Sequence, residues 1–449
     1  MAARRLVYAA AVAALAVPAA SAQASAPGWS TPHTVTPYRV GTYAAGPNGQ
    51  AVQMFGNGAV QTMTAQIRAI KSDATQGTAV GVNPGAPGFD LPQVSVNASG
   101  RLVAAWTLDT QGPGPIGLAA TLGSRSSLPR TAIVLPNDGQ DVGDVATAID
   151  ASGNGIVAWL ETSRTAPTTT TVKAATLRPG QAPQVATINT QANATVAYLS
   201  LGVDNAGRPT VTWAVNPTGG TTLLIGVARG DGTGAFAPAF VEQLGTAAIT
   251  TLQTFVTGNG GLLAFWVEGT LPSGPLHVKT AQAAPGGSFV GEQALTGGKP
   301  GRGAVRFAVN ASGRAALLFP LASGGGTTLK VQLRTSSGTW GTPRTLGSSG
   351  RYTNGGDIGV DAKGRVVALW DDGTTSSKAA TRVLAARSSS SSDPLGSYNQ
   401  VSQRSSDKRC NLPTLFLSTS GDGLGLWQCS SSSSGTSFAP RLARLTKPS

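Results

Sequence analysis

The chain has 449 residues; glycine (59) and proline (28) make up about a fifth of them, and charged residues reach only 12% against about 25% in an ordinary soluble domain. Hydrophobic residues at 40%, with no uninterrupted apolar run of about 18 residues, exclude both a polytopic membrane protein and a wholly disordered chain. The net charge of +13 comes from 33 Lys and Arg against 20 Asp and Glu, but the basic residues are scattered singly, which excludes a nucleic-acid-binding tail.

The first segment reads as a signal peptide over residues 1–22. Arg4 and Arg5 form a positive start, Leu6 to Val17 is apolar but short for a bilayer span, and Ala20-Ser21-Ala22 is a small-x-small cleavage site. The mature chain is therefore expected to begin near Gln23, to be secreted or cell-surface associated, and to carry no transmembrane segment.

From there one pattern recurs: an apolar residue, a small polar residue, two further residues, glycine, and an aromatic six positions later. It reads VNASGRLVAAW at Val96 to Trp106, IDASGNGIVAW at Ile149 to Trp159, VDNAGRPTVTW at Val203 to Trp213 and VTGNGGLLAFW at Val256 to Trp266. It continues as VNASGRAALLF from Val309, VDAKGRVVALW from Val360 and LSTSGDGLGLW from Leu417, with a weaker first copy from Ala45 to Phe55. The glycines stand at 49, 100, 153, 207, 260, 313, 364 and 421, so the period is about 53 residues.

Each position has a physical reading. The apolar residue ends a strand, and the polar one, such as Asn97, Asp150, Asp204 or Asp361, suits the first place of a type I turn, where its oxygen accepts backbone N–H groups further on. The glycine supplies a positive φ. The run after it, such as LVAAW or GIVAW, is apolar at nearly every position, as in a strand buried on both faces.

Each period continues with two more strands, an alternating one such as TVKAATLRPG (Thr171 to Gly180) and a short one such as PQVATINT (Pro183 to Thr190). Four antiparallel strands repeated eight times predict an all-β fold, an eight-bladed β-propeller with seven blades plus an appendage as the alternative. In its period, and in ending a strand on an aromatic, the pattern resembles kelch and Asp-box propellers, without the double glycine of the one or the S-x-D-x-G-x-T-W of the other. The expected domain is a single propeller over 23–449. Its last blade lacks an outermost strand, and residues 28–36 (GWSTPHTVT and the residues beside it) resemble that missing piece, so the two chain ends are expected to close the ring.

Little in the chain points to catalysis. Two histidines, His33 and His277, leave small scope for a Ser-His-Asp triad or a zinc set, and no nucleotide or hydrolase motif appears. Cys410 and Cys429 are expected to form a disulfide, which suits an oxidising compartment. Glu161 and Glu268 follow hairpin tryptophans by two residues and could serve a glycosidase, although solvated loop carboxylates are the expectation. Asp138, Asp141 and Asp144 share one glycine-containing loop, so calcium is the one cofactor for which there is room. The serine tracts at 388–392 and 430–434 read as flexible loops.

Blade geometry places the tight turns on one face of the disk. That face is expected to be basic through Arg101, Arg208, Arg314 and Arg365, and the opposite face acidic through Asp109, Glu161, Glu268, Asp371 and Asp372. The resulting expectation is a secreted, monomeric, non-catalytic binding or interaction module whose partner is an anionic envelope polymer, a glycan or a protein. An extracellular carbohydrate-active enzyme, glycoside hydrolase or lyase, is the alternative.

Overall fold

The computed structural model describes residues 28–446 apart from 36–40, 59–62, 85–87, 110–113, 166–167, 193, 218–221, 246–248, 269–275, 300, 302, 324–325, 352, 354, 375–376, 391–394, 403–408 and 431–438. The expected signal peptide lies outside these residues. Among these residues thirty-two strands form eight four-stranded antiparallel sheets, and the architecture is an eight-bladed β-propeller. Blades 1 to 7 use residues 41–82, 90–135, 141–192, 194–245, 249–298, 306–351 and 356–400 in chain order. Blade 3 is representative, with strands Asp141–Ile149, Gly155–Thr162, Thr169–Leu177 and Gln184–Ala192 running from the axis outward.

The turn inside each blade forms as its residues require. In blade 2 the Gly100 N–H donates to the Asn97 carbonyl, and the N–H groups of Ser99 and Arg101 donate to Asn97 Oδ1 at 3.0 Å each. Asp204, Asn310 and Asp361 accept in the same manner. All eight repeat glycines have positive φ, between 68° and 90°, where a β-carbon is penalised. At Gly421 a second constraint acts, because an added β-carbon would lie 2.5 Å from Asp361 Oδ2 and 2.7 Å from Arg365 Nη2 of the preceding blade.

The second strand is apolar throughout because its two faces meet different neighbours. Leu102, Ala104 and Trp106 pack against blade 1, whereas Val103 and Ala105 pack against blade 3. Blade 5 repeats this, with Leu262, Ala264 and Trp266 toward blade 4 and Leu263, Phe265 and Val267 toward blade 6. The aromatic at glycine-plus-six thus always faces the preceding blade, and Trp106, Trp159, Trp213, Trp266 and Trp427 are fully buried there. They are core, not an exposed stacking platform. Eight apolar clusters fill the eight blade-to-blade interfaces.

Blade 8 takes Arg409–Leu417, Gly423–Ser430 and Ala439–Leu445 from the C-terminal end and His33–Thr34 from the N-terminal end. The regular closing strand is shorter than 28–36, but a Trp29–Leu445 bridge and the Ser30 N–H to Arg444 carbonyl bond extend the pairing. Cys410 and Cys429 sit directly opposite each other on the first two strands and are disulfide-bonded. The serine tracts depart from the loop reading at Ser388 and Ser430, both buried. Ser388 Oγ accepts the Val366 N–H and so continues the sheet. Residues 391–392 and 431–434 lie outside the described residues.

Candidate functional site

Of the five expected acidic-face residues, four are buried, which corrects the solvated reading. Glu161 lies on the second strand of blade 3 with the same facing as Trp159, toward blade 2, and is 1% exposed. Trp159 Nε1–H donates to its Oε1 at 2.7 Å, and Lys173 Nζ lies 2.9 Å from its Oε2 and 2.6 Å from Asp138 Oδ2. Blade 5 builds the same constellation. Trp266 Nε1–H donates to Glu268 Oε1 at 2.8 Å, and Lys279 Nζ stands 2.9 Å from Glu268 and 2.8 Å from Glu292. Burial pulls the Lys173 ammonium pKa down, but the hydrogen bonds and charges of Asp138 and Glu161 more than offset it and leave it raised. Lys279 is raised for the same reasons through Glu292 and Glu268.

Blade 7 continues the theme with Asp372, 5% exposed and 3.3 Å from Arg382. Asp371 is fully buried and accepts from Thr353 Oγ1 at 2.5 Å and the Gly355 N–H at 3.2 Å. Only Asp109 is partly exposed. The physical reason is that the second strand runs two residues beyond its tryptophan, so its polar end caps an inter-blade interface instead of entering a loop. Glu161 and Glu268 are moreover separated by the whole of blade 4, and each is held by its own lysine. They do not form the facing carboxylate pair that glycoside hydrolysis uses, about 5–9.5 Å apart.

The candidate calcium loop is divided among three tasks. Asp138 binds Lys173, Asp141 accepts the Ile116 N–H at 3.0 Å, and Asp144 accepts the Tyr198 N–H of blade 4 at 3.1 Å. No group of three or more His, Cys, Asp or Glu side chains that could hold a metal ion occurs among the described residues.

The turn face is basic but also contains acids that the sequence reading placed only as turn formers. Arg208 pairs with Asp204 at 2.7 Å, and Arg365, 8% exposed, pairs with Asp361 at 2.6 Å. Arg365 is therefore a buried strut and not part of an exposed basic patch. Burial would raise the Asp204 pKa, yet hydrogen bonds from the Arg208 backbone and guanidinium outweigh it and lower it. Arg314 is half-buried, and Arg101 is exposed. Further arginines, from the third strands, tie turns together. Arg229 donates to the Gly260 carbonyl at 2.9 Å, Arg334 to Gly313 at 2.6 Å and Arg178 to Gly232 at 3.2 Å.

The solvent-facing cations of this face include those of blades 1 to 3 and Lys363 in the blade 7 turn. Lys71 and Arg101 are exposed, and Arg125 and Arg178 are half-exposed. Arg101 and Arg125 have no acidic partner among the described residues, and the partners of Arg178 are neutral oxygens of Gln184 and Gly232. Lys173 and Lys279 were missed from sequence. The available signal was a lysine directly after Val in the third strand, 13 or 14 positions after the hairpin tryptophan.

No family model matches the chain, and no curated protein matches it. Among solved structures it is similar to polysaccharide lyase Uly1, with a TM-score of 0.49 and 8% identity over 95% of this chain and 91% of that one. It is also similar to the β-propeller domain of the Trilobed protease from Pyrococcus furiosus, with a TM-score of 0.41 and 8% identity over 77% and 90%. The α-L-arabinanase of Penicillium chrysogenum gives a TM-score of 0.40 and 12% identity over 63% and 89%. Likeness at these levels concerns the propeller fold and not activity.

Proposed function

We propose that this protein is an exported, non-catalytic binding module that docks on anionic polymers of the cell envelope or its surroundings through the turn face of blades 1 to 3. The observation that supports the reading is the run of cations Arg101, Arg125 and Arg178, without a carboxylate partner among the described residues, on one face, with Lys71 beside Asp73 at its end. The net charge of +13, reduced to +11 once Arg4 and Arg5 leave with the expected signal peptide, adds long-range attraction to a polyanion. The disulfide fits an exported protein, and no helix among the described residues is long and apolar enough to cross a membrane.

The test is retention on carboxylated and sulfated polysaccharide resins across a salt series. Attraction between exposed charges is screened over about 8 Å at physiological ionic strength, so retention is expected to fall steeply as salt rises. Replacing Arg101, Arg125 and Arg178 together by Gln is expected to abolish retention while the circular dichroism spectrum stays that of the parent. A triple variant retained like the parent at every salt concentration would overturn the reading.

A further inference from the structure

A cavity of about 250 Å³ lies on the turn face where blade 7 meets the closing strands of blade 8. Its wall combines the apolar Trp29 and Leu445 with Ser397, Asn399 and the guanidinium of Arg387. The volume is below the roughly 300–1,000 Å³ of pockets for drug-sized ligands, so the occupant is small. Arg387 sets its charge. Its Nη1 donates to the Thr446 carbonyl at 2.6 Å and its Nη2 to the Gly421 carbonyl at 3.3 Å, and Nε has no partner. A guanidinium has five donors; the one on Nε is buried, and two of the four on Nη1 and Nη2 are unassigned among the described residues.

No carboxylate contacts Arg387 there. Burial first, and the neighbouring charge of Arg365 second, lower its pKa to about 10. The surrounding ion pairs, Arg365 with Asp361 and Arg444 with Asp422, are each already balanced. Asp361 and Asp422 act on Arg387 only as neighbouring charges, so the cation at the cavity wall has no ion pair of its own among the described residues.

We infer that this cavity binds a small carboxylate of sugar-acid size. The carboxylate takes the free Nη hydrogens of Arg387, hydroxyl groups meet Ser397 and Asn399, and the ring's apolar face lies against Trp29 and Leu445. The inference deepens the anionic-ligand reading by adding a discrete site on the same face, at some distance from the polymer-docking arginines of blades 2 and 3. The cavity wall comes from blade 7 and from both chain ends, so an occupant bridges the seam that closes the ring. Binding therefore stabilises the closed disk, with the unfolding midpoint rising with the logarithm of ligand concentration.

The experiment follows thermal unfolding of the mature chain in sodium glucuronate, a glucuronate-ended oligosaccharide, glucose and sodium chloride, with the salts at equal ionic strength. Glucuronate or the oligosaccharide is expected to raise the midpoint above chloride, and glucose is not. Whichever acts at lower concentration identifies the occupant as the free acid or a chain end. Arg387→Lys risks failing to fold, because Arg387 also holds Thr446 and Gly421. Ser397→Trp fills the cavity from an exposed loop instead and is expected to keep the parent's midpoint in chloride while weakening the response about tenfold or more. The Arg101, Arg125 and Arg178 triple variant is expected to keep the response after losing resin retention, so the two readings fail separately. No rise in the parent with either carboxylate, or an equal rise in Ser397→Trp, would overturn the site.

Discussion

Lys173 and Lys279 carry charges that the fold uses inside an interface. Each satisfies a glutamate that in turn satisfies a tryptophan N–H. Where the residue two after the tryptophan is apolar, as at Leu108, Val215 and Cys429, the Nε1 of Trp106, Trp213 and Trp427 has no partner among the described residues. Lys173→Met leaves Glu161 buried and unpaired and is expected to lower stability by about 3 kcal/mol. Glu161→Gln, which can still accept the Trp159 N–H, should cost less. The pH dependence follows from the raised lysine pKa. The folded state holds the proton more tightly than the unfolded chain does, so the contribution is complete below the unfolded value near about 10.4 and is lost as pH rises through the higher folded value. Denaturant titrations at several alkaline pH values should show the gap between parent and Lys173→Met constant up to about pH 10 and closing beyond it.

At the level of the hairpin, glycine serves two ends that substitution can separate. Gly100 and Gly421 both have positive φ, 77° and 87°, so alanine at either costs about 1–2 kcal/mol for a left-handed backbone. At Gly100 the nearest atom to an added β-carbon is 3.9 Å away, whereas at Gly421 the Asp361–Arg365 ion pair blocks it. Gly421→Ala is therefore expected to destabilise clearly more than Gly100→Ala in urea unfolding. Equal effects would mean that the ion pair moves aside without loss. The turns also bond to one another. Asn97 Nδ2 donates to the Asp150 carbonyl and Asn310 Nδ2 to the Asp361 carbonyl, each at 2.8 Å, so damage to one turn is transmitted to the next blade.

For the whole ring, stability depends on the seam. Blade 8 joins residues more than 400 positions apart, with the Thr446 N–H donating to the Gly28 carbonyl and the Arg444 N–H to Ser30 Oγ. The disulfide lies in this same blade and constrains a loop of 19 residues, a contribution of about 3 kcal/mol. Deleting residues 23–36 is expected to lower the melting temperature by several degrees or more, because it exposes the edge of Ala439–Leu445 and uncovers Trp29's neighbours. Replacing both cysteines by serine should act in the same direction, and combining the two changes should cost more than either alone. A deletion variant that melts with the parent would show that the closing strand bears none of the stability.

The repeat spacing, the turn residues and the doubly apolar second strand were enough to specify blades, their number and the burial of the aromatics. Those features depend on chain-local geometry: turn chemistry, strand period and the requirement that apolar residues leave water. The cysteine pairing was legible for the same reason, since both residues flank one hairpin. The state of the charges was not. Whether Glu161 or Asp372 meets solvent depends on what the adjacent blade and the third strand place opposite it, partners ten or more residues away that no local pattern ranks, and Arg365 is buried although its partner Asp361 stands only four residues away. Sequence assigned these residues to the correct ends of their strands, but the packing of one sheet on the next decided which charges are struts and which remain free for a ligand. The seam cavity is further still from local pattern, because its wall is assembled from the two ends of the chain and comes into being only when the ring closes.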